Sequence, residues 1–252
     1  MSRFRQLLVP GLCTLVALAI LLGLGFWQLE RLQWKEQLIT RISARIHDAP
    51  VALPPETTWA TWSAAQDEYR PVRAEGRFLD DKTVYVTANA ELRPKGGATL
   101  GYMVLTPLKL ADGSIVIVNR GFVPRELRDT LRIDAGAATP PVVVTGLMRA
   151  PQEQGWFVPE DRPARDNPAE GDWFTRDPVR IGASLGFERV APFLVDQALV
   201  EGGPAWPRGG LTVLTFPNRH LEYALTWFGL AATLIAVFLA WALRRRQPRL
   251  SP

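Results

Sequence analysis

The chain begins and ends on uninterrupted apolar runs, and between them the pattern breaks into short segments separated by turn formers. Residues 7–27 carry no charge, roughly 21 residues or about 31 Å of helix at ~1.5 Å per residue. That length matches the roughly 30 Å hydrocarbon core of a bilayer. Residues 223–243 form a second run of the same kind, so the pattern predicts a membrane helix near each end. Past the first run, Leu32, Ile39, Ile42 and Ile46 recur at helical intervals with Glu36, Arg41 and Arg45 between them. This predicts an amphipathic extension to about residue 46, which Pro50, Pro54 and Pro55 end. Seven segments then read as strands: 69–79, 83–89, 100–110, 114–123, 141–150, 189–197 and 211–216. Asp112-Gly113 between two of them is a hairpin signal. Several strands are apolar on both faces and no strand–helix alternation is visible, which suits a closed barrel better than an open sheet. The predicted fold class is therefore a membrane protein of α+β type, two transmembrane helices flanking an antiparallel, barrel-like β-domain.

Charge orients this arrangement. Arg3 and Arg5 precede the first run, and Arg244, Arg245, Arg246 and Arg249 follow the second. Basic residues collect on the cytoplasmic side of membrane helices. The expected order is a cytoplasmic N-terminus at 1–6, then a transmembrane helix at 7–29 with its extension to about 46. A β-rich domain at 47–219 lies on the far side, followed by a second transmembrane helix at 220–243 and a cytoplasmic basic tail at 244–252. A cleaved signal peptide is the rival reading, because Ala17-Leu18-Ala19 resembles a small-residue cleavage site. Cutting there would leave an exposed apolar stub and waste a full-length span.

The net charge of +4 has the same origin. All 25 acidic residues lie between Glu30 and Glu222, whereas six of the 29 basic residues lie outside that span, so the central domain is slightly acidic. The balance gives no basic surface for nucleic acid, and no nucleic-acid partner is expected. The single cysteine, Cys13, falls inside the first apolar run, so the central domain must fold by packing without a disulfide. One Cys and two His exclude a zinc cluster, a Cys-x-x-Cys-His haem attachment and a thiol copper carrier.

Two features invite a chemical reading. Gly182-Ala-Ser184-Leu-Gly186 matches the nucleophile elbow, with Asp196 and His220 following in hydrolase order. Asp177-Pro178, however, reads as the N-cap and first residue of a short helix, which places Ser184 near that helix's end instead of on a strand-to-helix turn. The expectation is that the protein is not an enzyme. The second feature is the stretch 150–178, too long for an ordinary loop in a compact domain. Its Trp156-Phe157 and Trp173-Phe174 either plug one end of the barrel or form a surface for a partner or for the membrane interface.

At the two membrane boundaries the residue choice is unusual. Trp27 and Trp34, seven apart, share one helix face, with Gln28, Arg31 and Lys35 on a neighbouring stripe. At the other boundary His220, Tyr223 and Trp227 share a face. An ionisable residue at membrane depth is a functional candidate. An interfacial histidine within an aromatic belt explains the same residues, and both readings stand.

The helix exit "GFWQLERLQWKEQLI", the central "GYMVLTPLKLADGSIVIVNRGFVP" and the closing "NRHLEYALTWFGLA" together resemble the surfeit-locus family of cytochrome oxidase assembly proteins, over nearly the whole chain. The resemblance implies a non-enzymatic role in building haem-copper terminal oxidase. It also implies a multi-pass protein of the bacterial inner membrane, with the central domain in the periplasm. In bacterial members the implied task is to hold haem a as cofactor and hand it from haem a synthase to the oxidase catalytic subunit. These two proteins and the lipid bilayer are the implied partners. The histidine of the last motif, here His220, is the implied metal ligand on the haem iron. On that footing Trp27, Tyr223 and Trp227 would supply aromatic walls, and Arg31 or Arg219 a cation for the propionates, with Gln28 beside them. A scaffold that contacts oxidase subunits without touching haem is the alternative.

Overall fold

The computed structural model describes residues 3–90, 92, 97–130, 140–152, 154–164, 167, 170–211 and 218–246. The contacts divide the chain into two units, one made of residues 1–42 with 215–252 and the other of 43–214.

The first unit pairs two helices, α1 (Arg3–Ile46) as far as Ile42 and α4 (His220–Arg246). Both are long and apolar enough to cross a membrane. Pro10 is accommodated in the early part of α1, where Thr14 returns its hydroxyl to the Pro10 carbonyl at 2.8 Å. Covered positions on α1 fall alternately three and four apart, at Gly11, Thr14, Leu18, Leu21, Gly25 and Gln28. On α4 the same rhythm runs through His220, Ala224, Trp227, Ala231, Leu234 and Phe238. A mean spacing of 3.5 residues keeps one seam facing the partner helix along its length. The helices are antiparallel: Gly11 meets Phe238, Gly25 meets Phe228 and Gln28 meets His220. At Gly25 a side chain would begin 2.5 Å from the Phe228 ring, so only glycine allows this approach.

The second unit is built on a seven-stranded sheet, β1 (Val51–Ala52), β2 (Pro71–Phe78), β3 (Val84–Ala90), β4 (Thr99–Leu110), β5 (Ile115–Pro124), β6 (Val142–Arg149) and β7 (Val190–Gln197), with a one-turn helix α2 (Ala64–Asp67) ahead of β2. The order is β1-β2-β6-β7-β5-β4-β3, and a further pairing of β2 with β4 closes five of the strands into a barrel. Six of the seven predicted strands are present, and the seventh, at 211–216, lies outside the described residues beyond Leu211. The barrel is antiparallel except where β5 runs parallel to β7. A ring of five strands cannot alternate direction all the way round, so one pair had to be parallel. The two-residue β1, parallel to β2, was not anticipated.

Closure turns on Gly76. This residue pairs with Val142 of β6 on one side and Leu110 of β4 on the other, at the point where β2 changes partner. A Cβ there would lie 2.5 Å from the Lys109 carbonyl oxygen. Glycine in a strand interior marks such a close backbone approach. At the 112–113 hairpin, Gly113 takes φ +83°, and Asp112 accepts from the Ser114 N–H at 2.9 Å and its hydroxyl at 2.6 Å. Those bonds from Ser114 hold the Asp112 carboxyl below the ordinary carboxylate range.

The strands that are apolar on both faces serve two cores. Val72, Leu108, Val118, Val144, Met148 and Phe193 draw on all five barrel strands and fill the interior. Leu105, Ile115, Ile117 and Leu194 point the other way, beneath Trp173 and Ile181 of α3 (Pro178–Ser184). Double-sided hydrophobicity thus reflects an outer face covered by a helix and a loop as well as a closed interior. Asp177 caps α3, accepting from Val179 at 3.0 Å and Arg180 at 3.1 Å, with Pro178 first in the helix.

Candidate functional site

In the helix pair, the residues singled out at the two apolar boundaries separate into those that meet and those that do not. Asn218 accepts from the His220 backbone N–H at 3.4 Å, so α4 starts at the histidine. The Nδ1 of half-buried His220 lies 2.7 Å from Oε1 of Gln28, which projects from the facing stripe of α1. A carbonyl oxygen only accepts, so Nδ1 donates, and in the neutral ring the lone pair is then on Nε2. Trp227 is two turns along the His220 face and half-buried. Tyr223 is 54% exposed and Trp27 also 54%, so neither joins the helix seam. Arg31 is exposed, and its guanidinium stacks over Trp34 at 4.0 Å. Arg219 is exposed, one residue ahead of α4. The other histidine, His47, donates from Nδ1 to the Ser43 carbonyl at 2.7 Å, closing the last turn of α1.

The hydrolase motif has a different local structure from an elbow. Ser184 is the last residue of α3 and donates its hydroxyl to the Ile181 carbonyl at 2.8 Å. Gly186, at φ +82°, sits just past the helix end, as a C-terminal cap requires. Gly182 packs against Val190, where a Cβ would come within 2.4 Å of a methyl. Both glycines are explained by the helix and its packing.

Within the barrel unit, Asp196 centres a buried polar cluster that spacing alone did not reveal. Its carboxylate accepts from Asn119 at 2.9 Å and Arg149 at 3.3 Å, with Arg176 at 3.9 Å. Arg149 also reaches Glu68 at 3.2 Å and lies 4.5 Å over the Tyr69 ring. Tyr69 is held at φ 64°, uncommon for a non-glycine residue, by an N–H bond to the Met148 carbonyl at 2.8 Å. Burial pushes the Tyr69 hydroxyl above its usual range, against the pull of Arg149. Burial likewise works against the charge on Arg176, which Asp196 supports. Every acid in the cluster faces a guanidinium, an arrangement that ties the ends of β6 and β7 and the approach to β2 to the middle of β5. The signal was faint in the sequence: charges at the ends of apolar strands, 47 residues apart in the case of Arg149 and Asp196.

The long loop divides its aromatics. Trp173 is 1% exposed and pairs with Val86 of β3, while Asp161 organises the chain around it by accepting from the Phe174 and Thr175 N–H groups at 2.7 and 2.9 Å. Trp156 and Phe157 are fully exposed in a turn closed by the Val158 N–H bond to the Gly155 carbonyl. Trp173 thus covers the outer face of the barrel instead of plugging one end of it, while Trp156 and Phe157 of the same loop form exposed surface.

A closed barrel flanked in sequence by two helices long and apolar enough to cross a membrane, with an oriented histidine at the head of the second, is the architecture of an α+β membrane protein. A profile of the SURF1 family matches residues 15–232. A SURF1-like protein of Drosophila melanogaster is 35% identical over 245 residues, covering 92% of this chain and 77% of the fly protein. Surfeit locus protein 1 of Mus musculus is 31% identical over 233 residues, covering 88% and 72%. The Homo sapiens protein of that name is 33% identical over 221 residues, covering 83% and 70%. The chain belongs to the SURF1 family, which bears out the resemblance carried by its three motifs.

Proposed function

We propose that this protein is an assembly factor for haem-copper terminal oxidase, holding haem a at the head of α4 and passing it from haem a synthase to the oxidase catalytic subunit. The observation that carries the reading is the His220–Gln28 pair, found in a chain of the SURF1 family. A haem iron takes a neutral imidazole as axial base. Metal-ligating histidines usually donate their other ring N–H to a carbonyl or carboxylate, as His220 does to Gln28. The donor set therefore fits the group. Tyr223, Trp227 and Trp27 would offer aromatic surface, and the exposed guanidinium of Arg31 or of Arg219 would meet the propionates. Bound in this way, haem is cargo, and the protein's own part is to bind and orient it.

On this reading the protein lies in the bacterial inner membrane with residues 47–219 in the periplasm and both termini in the cytoplasm, following its arginine bias. A reporter active only outside the cytoplasm should be silent when fused after Pro252. The haem assignment is tested by purifying the full chain and its His220→Ala and His47→Ala variants from cells making haem a. Wild type and His47→Ala should carry equal pigment, and His220→Ala little. Equal haem in His220→Ala and wild type would remove the ligand assignment. The second reading, a scaffold that binds oxidase subunits without haem, draws support from the exposed Trp156-Phe157 turn. It would then be favoured.

A further inference from the structure

We infer that Gln28 is a positioning residue, whose amide oxygen fixes the tautomer of His220 so that Nε2 is the base it presents. The identity of what Nε2 meets rests on the haem reading above, whereas the tautomer assignment does not.

Neutral imidazole carries one N–H and one lone pair, and in solution the proton can sit on either nitrogen. The 2.7 Å contact between Nδ1 and Oε1 of Gln28 leaves one arrangement, the proton on Nδ1. The surroundings of Gln28 explain why an amide stands there. It is half-buried on the α1 seam between Gly25, which abuts Phe228, and Leu32. A polar group so placed is costly without a hydrogen-bond partner. Its oxygen is used on the histidine, 192 residues away in sequence, and the glycine below it lets the helices come close enough for the bond to form. A role limited to gluing the helices together would need only that some polar pair meet at this level. A positioning role requires an acceptor on the Gln28 side, and this difference can be measured.

The experiment uses the full chain in detergent with ¹⁵N-labelled histidine, free of haem and at an alkaline pH where imidazole is neutral. The His220 signals are identified by their loss in His220→Ala. In wild type, Nδ1 should resonate as a protonated nitrogen and Nε2 as an unprotonated one. Gln28→Leu should move the tautomer ratio toward Nε2–H by at least about threefold, the weight of a typical hydrogen bond. Gln28→Glu keeps an acceptor and should restore the Nδ1–H form. Pigment carried by each variant after expression with haem a synthesis gives a second readout. Loss of an outer-shell partner should weaken retention about tenfold in Gln28→Leu, and Gln28→Glu should retain pigment with a shifted absorption band. A wild-type His220 protonated on Nε2, or a ratio unmoved in Gln28→Leu, would overturn the inference. A colourless wild type would instead count against haem binding, while the tautomer signals still decide the role of Gln28.

Discussion

Arg149 and Asp196 stand on adjacent antiparallel strands with their side chains 3.3 Å apart, and Asp196 is only 4% exposed. The same carboxylate is shared with Asn119 of β5 and approached by Arg176 from the long loop, so a single buried charge ties three parts of the unit. Removing one partner of a buried, hydrogen-bonded pair leaves the other charge without compensation.

Asp196→Ala should therefore destabilise the protein by about 3–5 kcal/mol. Denaturant unfolding of the full chain in detergent, followed by tryptophan fluorescence, measures this. A shift below about 1 kcal/mol would mean the cluster is not structural in the way its geometry indicates.

Gly76 is predicted to be intolerant of even a methyl group. Its Cβ would strike the Lys109 carbonyl where β2 passes from β6 to β4, so Gly76→Ala should cost about 1–3 kcal/mol through overpacking and backbone shift. The matching change at Gly97, which takes φ +72° but has open space around it, should strain only the local backbone without opening the barrel. Hydrogen exchange on the β2–β4 pairing would separate the two variants. Equal protection in both would count against Gly76 as the closing point.

The tryptophans of the long loop should behave oppositely. Trp173→Ala empties a buried site beside Leu105 and Ile181 and should cost about 3–5 kcal/mol. Trp156→Ser with Phe157→Ser removes side chains that touch solvent and should change stability by no more than about 0.5 kcal/mol. Thermal melts of the two variants check this, and a large loss in the exposed pair would show that the turn packs in the folded protein.

Alkaline pH should weaken the barrel unit through buried Tyr69 and half-buried Tyr85. Burial raises the Tyr69 and Tyr85 hydroxyls above their ordinary value of 10.0, opposed most by Arg149 and Arg128 respectively. The folded state then holds protons that the unfolded chain releases. This contribution is fully present below about pH 10 and lost as pH rises through the folded-state values. Stability of wild type should fall above that point, and a Tyr69→Phe, Tyr85→Phe variant should fall less steeply. Parallel slopes for the two proteins would rule out these hydroxyls as the cause.

Local pattern was enough to determine the parts list of this protein. Uncharged runs long enough to cross a bilayer, strands between turn formers, the Asp112-Gly113 hairpin and the Asp177-Pro178 helix start all depend on neighbours in sequence, and every one that falls on the described residues is present. Pairing depends on residues far apart, and there only the tertiary structure decided. That Gly76 closes the ring, that β5 must run parallel to β7, and that Trp173 is buried while Trp156 is bare follow from how five strands and a loop share space. The site divides the same way. His220, Gln28 and Trp227 were visible as polar and aromatic residues at the apolar boundaries, because side chains of that kind are conspicuous beside lipid-like sequence. Which of them touch could not be read from spacing within one helix: Arg31 lies only three residues from Gln28 yet turns to Trp34, while His220 reaches Gln28 across the chain. The seam between two antiparallel helices, whose positions recur every 3.5 residues on average and include Gly25, Ala224 and Ala231, made that selection.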